Sequence, residues 1–216
     1  DYQHEGILPL AMVNFLALLG WSPGGDRELF FDVAELVESF KFEGVQKRAA
    51  VFDPQKLSWM NGEHLRAIGP EGVVRLLGAQ LASVDADRAP AFVAAVLPRS
   101  WTTLDVLRQV RVRAGLAPAT LDETAVAAIA KDPAGHAAAL AMVVASLKSA
   151  ADWTAAGLDA HLRQLAMAKG MKAGAVMQPV RIALTGGTVS EPVNELLVLI
   201  GRDEALQRLE KAGHAA

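Results

Sequence analysis

The sequence contains no cysteine. That excludes disulfides, thiolate zinc sites and cysteine nucleophiles, and it is compatible with a reducing cytosol. Aromatic residues make up only 6% of the 216 positions, so the core has to be built from Ala, Leu and Val, a composition that favours helices over a β-sandwich. No uninterrupted apolar run reaches the ~18–20 residues needed to span a bilayer. The opening residues DYQHEGILPLAM lack the positive n-region and cleavage site of a secretory signal. The histidines (His4, His64, His136, His161 and His214) are scattered, with no pair at metal-ligand spacing, and each reads as a surface residue. No paired carboxylates, Ser/His/Asp order or glycine phosphate loop marks out an active site of those kinds.

What is present is a polarised distribution of charge. A net charge of −3 counts against a sequence-blind nucleic-acid binder, which usually carries a strongly basic domain. Placement can override the total, because screening limits the reach of a charge to about 10 Å. Acidic residues crowd the first third (Asp26, Glu28, Asp32, Glu35, Glu38, Glu43), and basic ones crowd Arg99 to Arg113 and Arg163 to Arg181. From Ala160 through Ser190 the chain has Arg163, Lys169, Lys172 and Arg181 and no Asp or Glu.

The apolar spacing predicts an all-α chain with no convincing β-alternation and no internal repeat. Helices are expected over 7–19, with Pro9 in the first turn and Gly20 ending it, and over 31–40. Asp53 is expected to cap and Pro54 to open a helix that Gly62 closes. Short helices over 70–81, 88–97, 102–114, 122–130 and 133–149 follow, punctuated by Gly and Pro. Thr102 or Thr103 caps the third of these, and Thr154 caps a helix running to Ala168. In the stretch 169–201, Pro179 is expected to kink a helix. Arg181 follows the kink, Thr185 to Thr188 form a tight loop, and Ser190 caps a last apolar helix through Leu196, Leu197 and Ile200. A closing helix spans 202–212. A basic strip beside a glycine loop and a helix N-terminus suits a polyanion. On spacing alone a kinked helical hairpin with a solvated basic face is the favoured reading, since P-loop-style spacing is absent.

Four segments carry a family resemblance. GILPLAMVNFLALLGWSP (6–23), VQKRAAVFDPQKLSWMNGEHLR (45–66), LPRSWTTLDVLRQVRVRAG (97–115) and KAGAVMQPVRIALTGGTVSEPVNELLVLIG (172–201) occur in this order. Together they resemble the C-terminal, anticodon-binding region of bacterial glutamyl-tRNA synthetases of class I. Gln46 stands where the family usually has Ser, and His64 where it usually has Tyr.

The resemblance implies connector helices followed by a two-part helical bundle, an α-helix cage. Its parts are a connector and stem-contact region over 1–68 and two anticodon-binding subdomains over 69–120 and 121–216. It makes Lys47, Lys56, Trp59 and Arg66 contacts to phosphate or sugar on the inner side of the tRNA, although Trp59 also suits a core and Lys56 and Arg66 a solvated helix face. Arg99, in a Pro-Arg turn before a helix, corresponds to an arginine beside the third anticodon base that helps separate glutamate tRNA from glutamine tRNA. The same position also suits a helix-entry surface arginine. Arg108, Arg111 and Arg113 follow on that helix, and an arginine's planar fork is suited to base edges. Arg181, from the pattern Q-P-x-R, corresponds to a second anticodon contact, and Thr185 and Ser190 could offer hydroxyls to unstacked bases.

The family's full-length enzyme uses ATP and Mg²⁺ to join glutamate to its tRNA, but its histidine-rich signature and lysine loop are absent from these residues. The expectation is therefore a fragment that binds tRNA(Glu) and does not catalyse, with no cofactor of its own and a catalytic domain upstream. The absence of an initiator Met fits that expectation. The parent is expected to be a cytoplasmic monomer with no membrane contact. Two other readings stay open: an all-helical protein-interaction module, and the same region of a non-discriminating synthetase.

Overall fold

The computed structural model describes residues 2–47 and 50–215, so Arg48 and Ala49 of the second motif lie outside the described residues. Among the described residues there are only helices and a single isolated β-bridge, Trp21 to Val45. The chain divides into two compact units, Asp1–Arg108 and Gln109–Ala216.

In the first unit, α1 (Pro9–Leu18) opens on proline in its first turn, where the missing N–H would have been unsatisfied anyway. Asp32 caps α2 (Val33–Ser39), its Oδ1 accepting from the Ala34 amide at 3.0 Å. Asp53 caps α3 (Pro54–Leu77) in the same way, accepting from the amides of Gln55 and Lys56. The expected closure at Gly62 does not occur. The helix runs on to Gly69, whose φ of +75° and ψ of 168° break its line before Pro70. Gly62 is there for packing: a Cβ would sit 3.2 Å from the Ser100 carbonyl oxygen and 2.9 Å from Arg66 Nη2. The break at Gly69 lies inside the first compact unit.

A 3₁₀ turn at Gly78–Leu81 leads to α4 (Ala89–Val96), a second 3₁₀ turn at Leu97–Arg99, and α5 (Thr103–Arg113), within which the division between units falls. Thr102, of the two threonines, caps α5. Its Oγ1 accepts from the Asp105 amide at 3.0 Å while Asp105 Oδ2 accepts from the Thr102 amide at 3.1 Å, a reciprocal capping box.

Asn61, fully buried on α3, binds the unit together. Its Oδ1 accepts from the Leu8 amide at 2.7 Å, and its Nδ2 donates to the carbonyls of Gly6 (3.1 Å) and Trp101 (2.6 Å). One turn on, His64 is buried as well, contrary to its expected surface position. It lies one helical turn beyond Met60, on the same core-facing stripe. Its Nε2 is 3.2 Å from Asn14 Oδ1, an oxygen that only accepts, so the ring donates from Nε2. Burial holds the His64 pKa below its ordinary value of 6.5, and His136 is lowered for the same reason. The side chain of His214 lies outside the described residues.

A histidine with a lowered folded-state pKa binds fewer protons than its unfolded counterpart. Its contribution is therefore complete above about pH 6.5 and is lost as pH falls through the folded-state value. His64→Gln should flatten the fall in stability between about pH 7 and pH 5, as read by urea midpoints across that range, leaving a remainder from His136. An unchanged slope would mean that His64 does not titrate on unfolding.

In the second unit, α6 (Glu123–Lys131), α7 (Pro133–Lys148) and α8 (Ala155–Ala168) are capped by Asp122, Asp132 and Thr154. α9 (Ala173–Thr185), α10 (Val193–Ile200) and α11 (Arg202–Ala215) complete it. Their shared core includes Val143, Leu147, Leu158, Leu162, Val176, Val180, Leu184, Leu196, Leu197 and Leu209. α9 continues as helix through Pro179 rather than ending there, because burial of Val176, Val180 and Leu184 on one stripe outweighs the single amide hydrogen bond that proline removes. Ser190 does not cap α10. Pro192 occupies the cap position without a side-chain bond, and the Ser190 hydroxyl is committed elsewhere. No described helix is long and apolar enough to cross a membrane.

Candidate nucleic-acid interface

Arg181 lies near the end of α9, half-buried against the turn that leads to α10. Its Nε donates to Ser190 Oγ at 3.0 Å and its Nη1 to Gln178 Oε1 at 2.7 Å. Gln178 Nε2 in turn donates to the Thr188 carbonyl at 3.0 Å. The Ser190 hydroxyl donates to the Glu191 carbonyl at 2.7 Å, and that of Thr185 to the Arg181 carbonyl at 2.8 Å. Both hydroxyls singled out for nucleotide contact thus hold the turn together.

Gly186 ends α9 with φ +79°, and a Cβ there would lie 2.1 Å from the Thr120 carbonyl oxygen. Only glycine permits this backbone and this approach. The Asp122 amide donates to the Gly186 carbonyl at 2.8 Å, and the Thr124 and Thr188 hydroxyls meet at 2.7 Å. The turn is therefore braced from the start of α6. Val189 stands exposed at its tip.

The acid-free strip is partly neutralised from outside its bounds: Arg163 Nε donates to Asp159 Oδ2 at 2.7 Å. Hydrogen bonding to Asp159 and its charge raise the Arg163 pKa. Lys169 and Lys172 are exposed at the α8–α9 connection.

In the first unit, Arg99 ends the 3₁₀ turn before α5, half-buried, with Nη1 donating to the Ala95 carbonyl at 2.8 Å. Trp101, two residues on, is an exposed indole whose backbone is clamped by Asn61 and Asp105. Arg66 lies over its ring at 5.9 Å and pairs with Glu63 at 2.7 Å. Lys56 is paired with Glu28, and Trp59 is partly buried against the cluster of Ile7, Phe15, Leu57 and Met60. Lys47 is exposed.

The three arginines of α5 part company. Arg108 is exposed, 3.8 Å from Asp105, and Arg111 is exposed. Arg113 is 2% exposed and bound bidentately to Glu191, Nε to Oε1 at 2.7 Å and Nη2 to Oε2 at 2.6 Å. It is a structural residue and cannot reach a base edge. Sequence reasoning passed over Gln178 and Trp101. Gln178 could have been found from its spacing of three from Arg181 on a helix, whereas nothing local marks Trp101 as exposed. Among the described residues no group of His, Asp or Glu could hold a metal ion.

The class to which these helical units belong is given by comparison with known proteins. Residues 34–213 match the family model described as anticodon binding domain, and the chain belongs to that family. Residues 1–59 match the model described as tRNA synthetases class I (E and Q), catalytic domain, which overlaps most of the region expected to be connector. The particular relatives are glutamate–tRNA ligases. That of Thermobifida fusca is 38% identical over 224 residues, covering 98% of this chain and 46% of the relative. Glutamate–tRNA ligase 1 of Acidithiobacillus ferrooxidans is 34% identical over 229 residues, with the same coverage. The crystal structure of a glutamate tRNA ligase from Elizabethkingia meningosepticum superposes with a TM-score of 0.80 at 28% identity, covering 99% of this chain and 42% of that one. The chain spans about half the length of the curated relatives it matches.

Proposed function

We propose that this chain is the tRNA-reading part of a cytoplasmic, monomeric glutamate–tRNA ligase and that it selects tRNA(Glu). Arg99 and Arg181 contact unpaired anticodon bases. Lys47, Lys56 and Arg66 contact phosphate or sugar of the inner stem, and Arg108, Arg111, Lys169 and Lys172 supply further cationic surface. In this reading residues 1–68 serve the stem, while 69–120 and 121–216 each hold one anticodon contact. Glutamate activation, with ATP and Mg²⁺, belongs to the catalytic portion of the ligase. Phe42, Val51 and Val37, all exposed in the first unit, suit packing against that portion.

The observation that carries the proposal is the braced turn at Arg181. Single-stranded RNA is read by hydrogen bonding and stacking on splayed bases, and a guanidinium already held in one plane spends little entropy on meeting one. Phosphate contacts add affinity that depends on counterion release. Binding of the chain to a glutamate-tRNA anticodon stem-loop should therefore weaken roughly linearly on a log–log plot as salt rises. The experiment is a fluorescence-anisotropy titration at several KCl concentrations. A protein-interaction module would give no salt-sensitive RNA binding.

A further inference from the structure

Both side chains proposed to meet anticodon bases, Arg99 and Arg181, carry a positive charge, yet a neutral amide is bonded to Arg181. Gln178 is half-buried on α9, one residue before Pro179. Its two amide atoms do different work. The oxygen accepts from Arg181 Nη1 at 2.7 Å, and the nitrogen donates to the Thr188 carbonyl at 3.0 Å. One side chain thereby ties a guanidinium on the helix to the backbone of the turn beyond it.

Arg181 Nε is tied to the same turn through Ser190 Oγ at 3.0 Å. Two bonds on different nitrogens of a planar group fix its plane, since rotation about the Nε–Cζ bond or the side-chain torsions would break one of them. The turn cannot drift in response, because Gly186 and Thr188 are braced from residues 120–124.

We infer that Gln178 is the positioning residue of this site, orienting the Arg181 guanidinium towards the unpaired base of an RNA loop. The inference rests on the function proposed above. It also defines what Gln178 can be replaced by. Glu at 178 still accepts from Arg181 but turns an oxygen towards the Thr188 carbonyl, so it holds the arginine and loses the turn. Ala loses both. Because Gln178 supplies orientation and not charge, its loss should change base choice and leave the salt dependence untouched.

The test is a double-mutant cycle on the full chain, with a glutamate-tRNA anticodon stem-loop and the same hairpin with its anticodon permuted as probes. Gln178→Ala should cut the ratio of the two affinities roughly tenfold, a coupling typical of groups in one hydrogen-bond network. Added to Arg181→Ala, it should cost almost nothing more. The slope of affinity against salt should not move. Gln178→Glu should fall between Ala and the original residue. Independently of RNA, ¹⁵N relaxation at Arg181 Nε should show faster motion in Gln178→Ala, while an unchanged slope of urea unfolding and a dispersed amide spectrum show that the variant is folded.

Full additivity with Arg181→Ala, or an Arg181 Nε signal unchanged in Gln178→Ala, overturns the inference. If the original chain binds both hairpins equally while the Nε motion changes as expected, the RNA reading fails and with it the role in base choice. If the original chain discriminates, Arg181→Ala abolishes that discrimination and Gln178→Ala does not, then the positioning role alone is wrong.

Discussion

Replacing Glu191 by Ala should lower the stability of the second unit by about 3–5 kcal/mol, the usual consequence of stranding one member of a buried ion pair. The Arg113 and Glu191 side chains are 2% and 5% exposed, and both oxygens of the carboxylate are used. Without Glu191 the guanidinium retains its Nη1 bond to the Gln109 carbonyl at 3.2 Å, which does not offset the loss of a countercharge. The neighbouring turn keeps its bond from the Ser190 hydroxyl, because the acceptor is the main-chain carbonyl of residue 191. Urea unfolding checks this as a lower midpoint at unchanged slope. Removing both partners with apolar residues of similar length (Arg113→Met with Glu191→Leu) should recover much of the loss. A Glu191→Ala midpoint within error of the original would mean that water reaches Arg113.

Arg181→Ala and Arg99→Ala should each weaken binding of the stem-loop by about 1–3 kcal/mol and relax choice at one base. Lysine at either position separates the two contributions. It keeps the charge but not the planar fork, so Arg181→Lys should retain the salt slope while losing discrimination. The two arginines differ in their supports. Arg181 is held through side chains of its own turn, whereas Arg99 has the Ala95 carbonyl, four residues back. Arg99 should therefore be the more tolerant of lysine. The hairpins used should include one with the glutamine-tRNA anticodon. Equal binding of that hairpin and the glutamate one would indicate a parent that charges both tRNAs.

The helices were legible because their start signals are local. Asp53 before Pro54 and Thr154 each cap a helix at the position their sequence neighbourhood implies, and Asp122, expected as the first residue of its helix, caps it. The turn at Gly186 was legible for the same reason: a left-handed residue at a helix end asks for glycine.

What could not be read depends on partners far away in the chain. Arg108, Arg111 and Arg113 look alike along α5, and only Glu191, 78 positions later, removes Arg113 from the surface. Gly62 looks like a stop signal until the Ser100 carbonyl is found against it. His64 is polar by residue type and buried by helical phase. Ser190 has a capping residue's identity, but Arg181 and the Glu191 carbonyl take its hydroxyl. That Arg99 and Arg181 lie beside turns was legible, and the hydrogen bonds that hold them there were not.

The most direct test of the central claim, that anchored guanidinium groups on a slightly anionic helical chain read unpaired bases, is one comparison of affinities. The chain is titrated with the glutamate-tRNA anticodon stem-loop and with the same hairpin carrying a permuted anticodon, at one salt concentration. Binding at least tenfold tighter to the first is the expected result, matching about 1.4 kcal/mol of base-dependent contact. Indistinguishable affinities would contradict it, leaving a surface that attracts RNA without reading it.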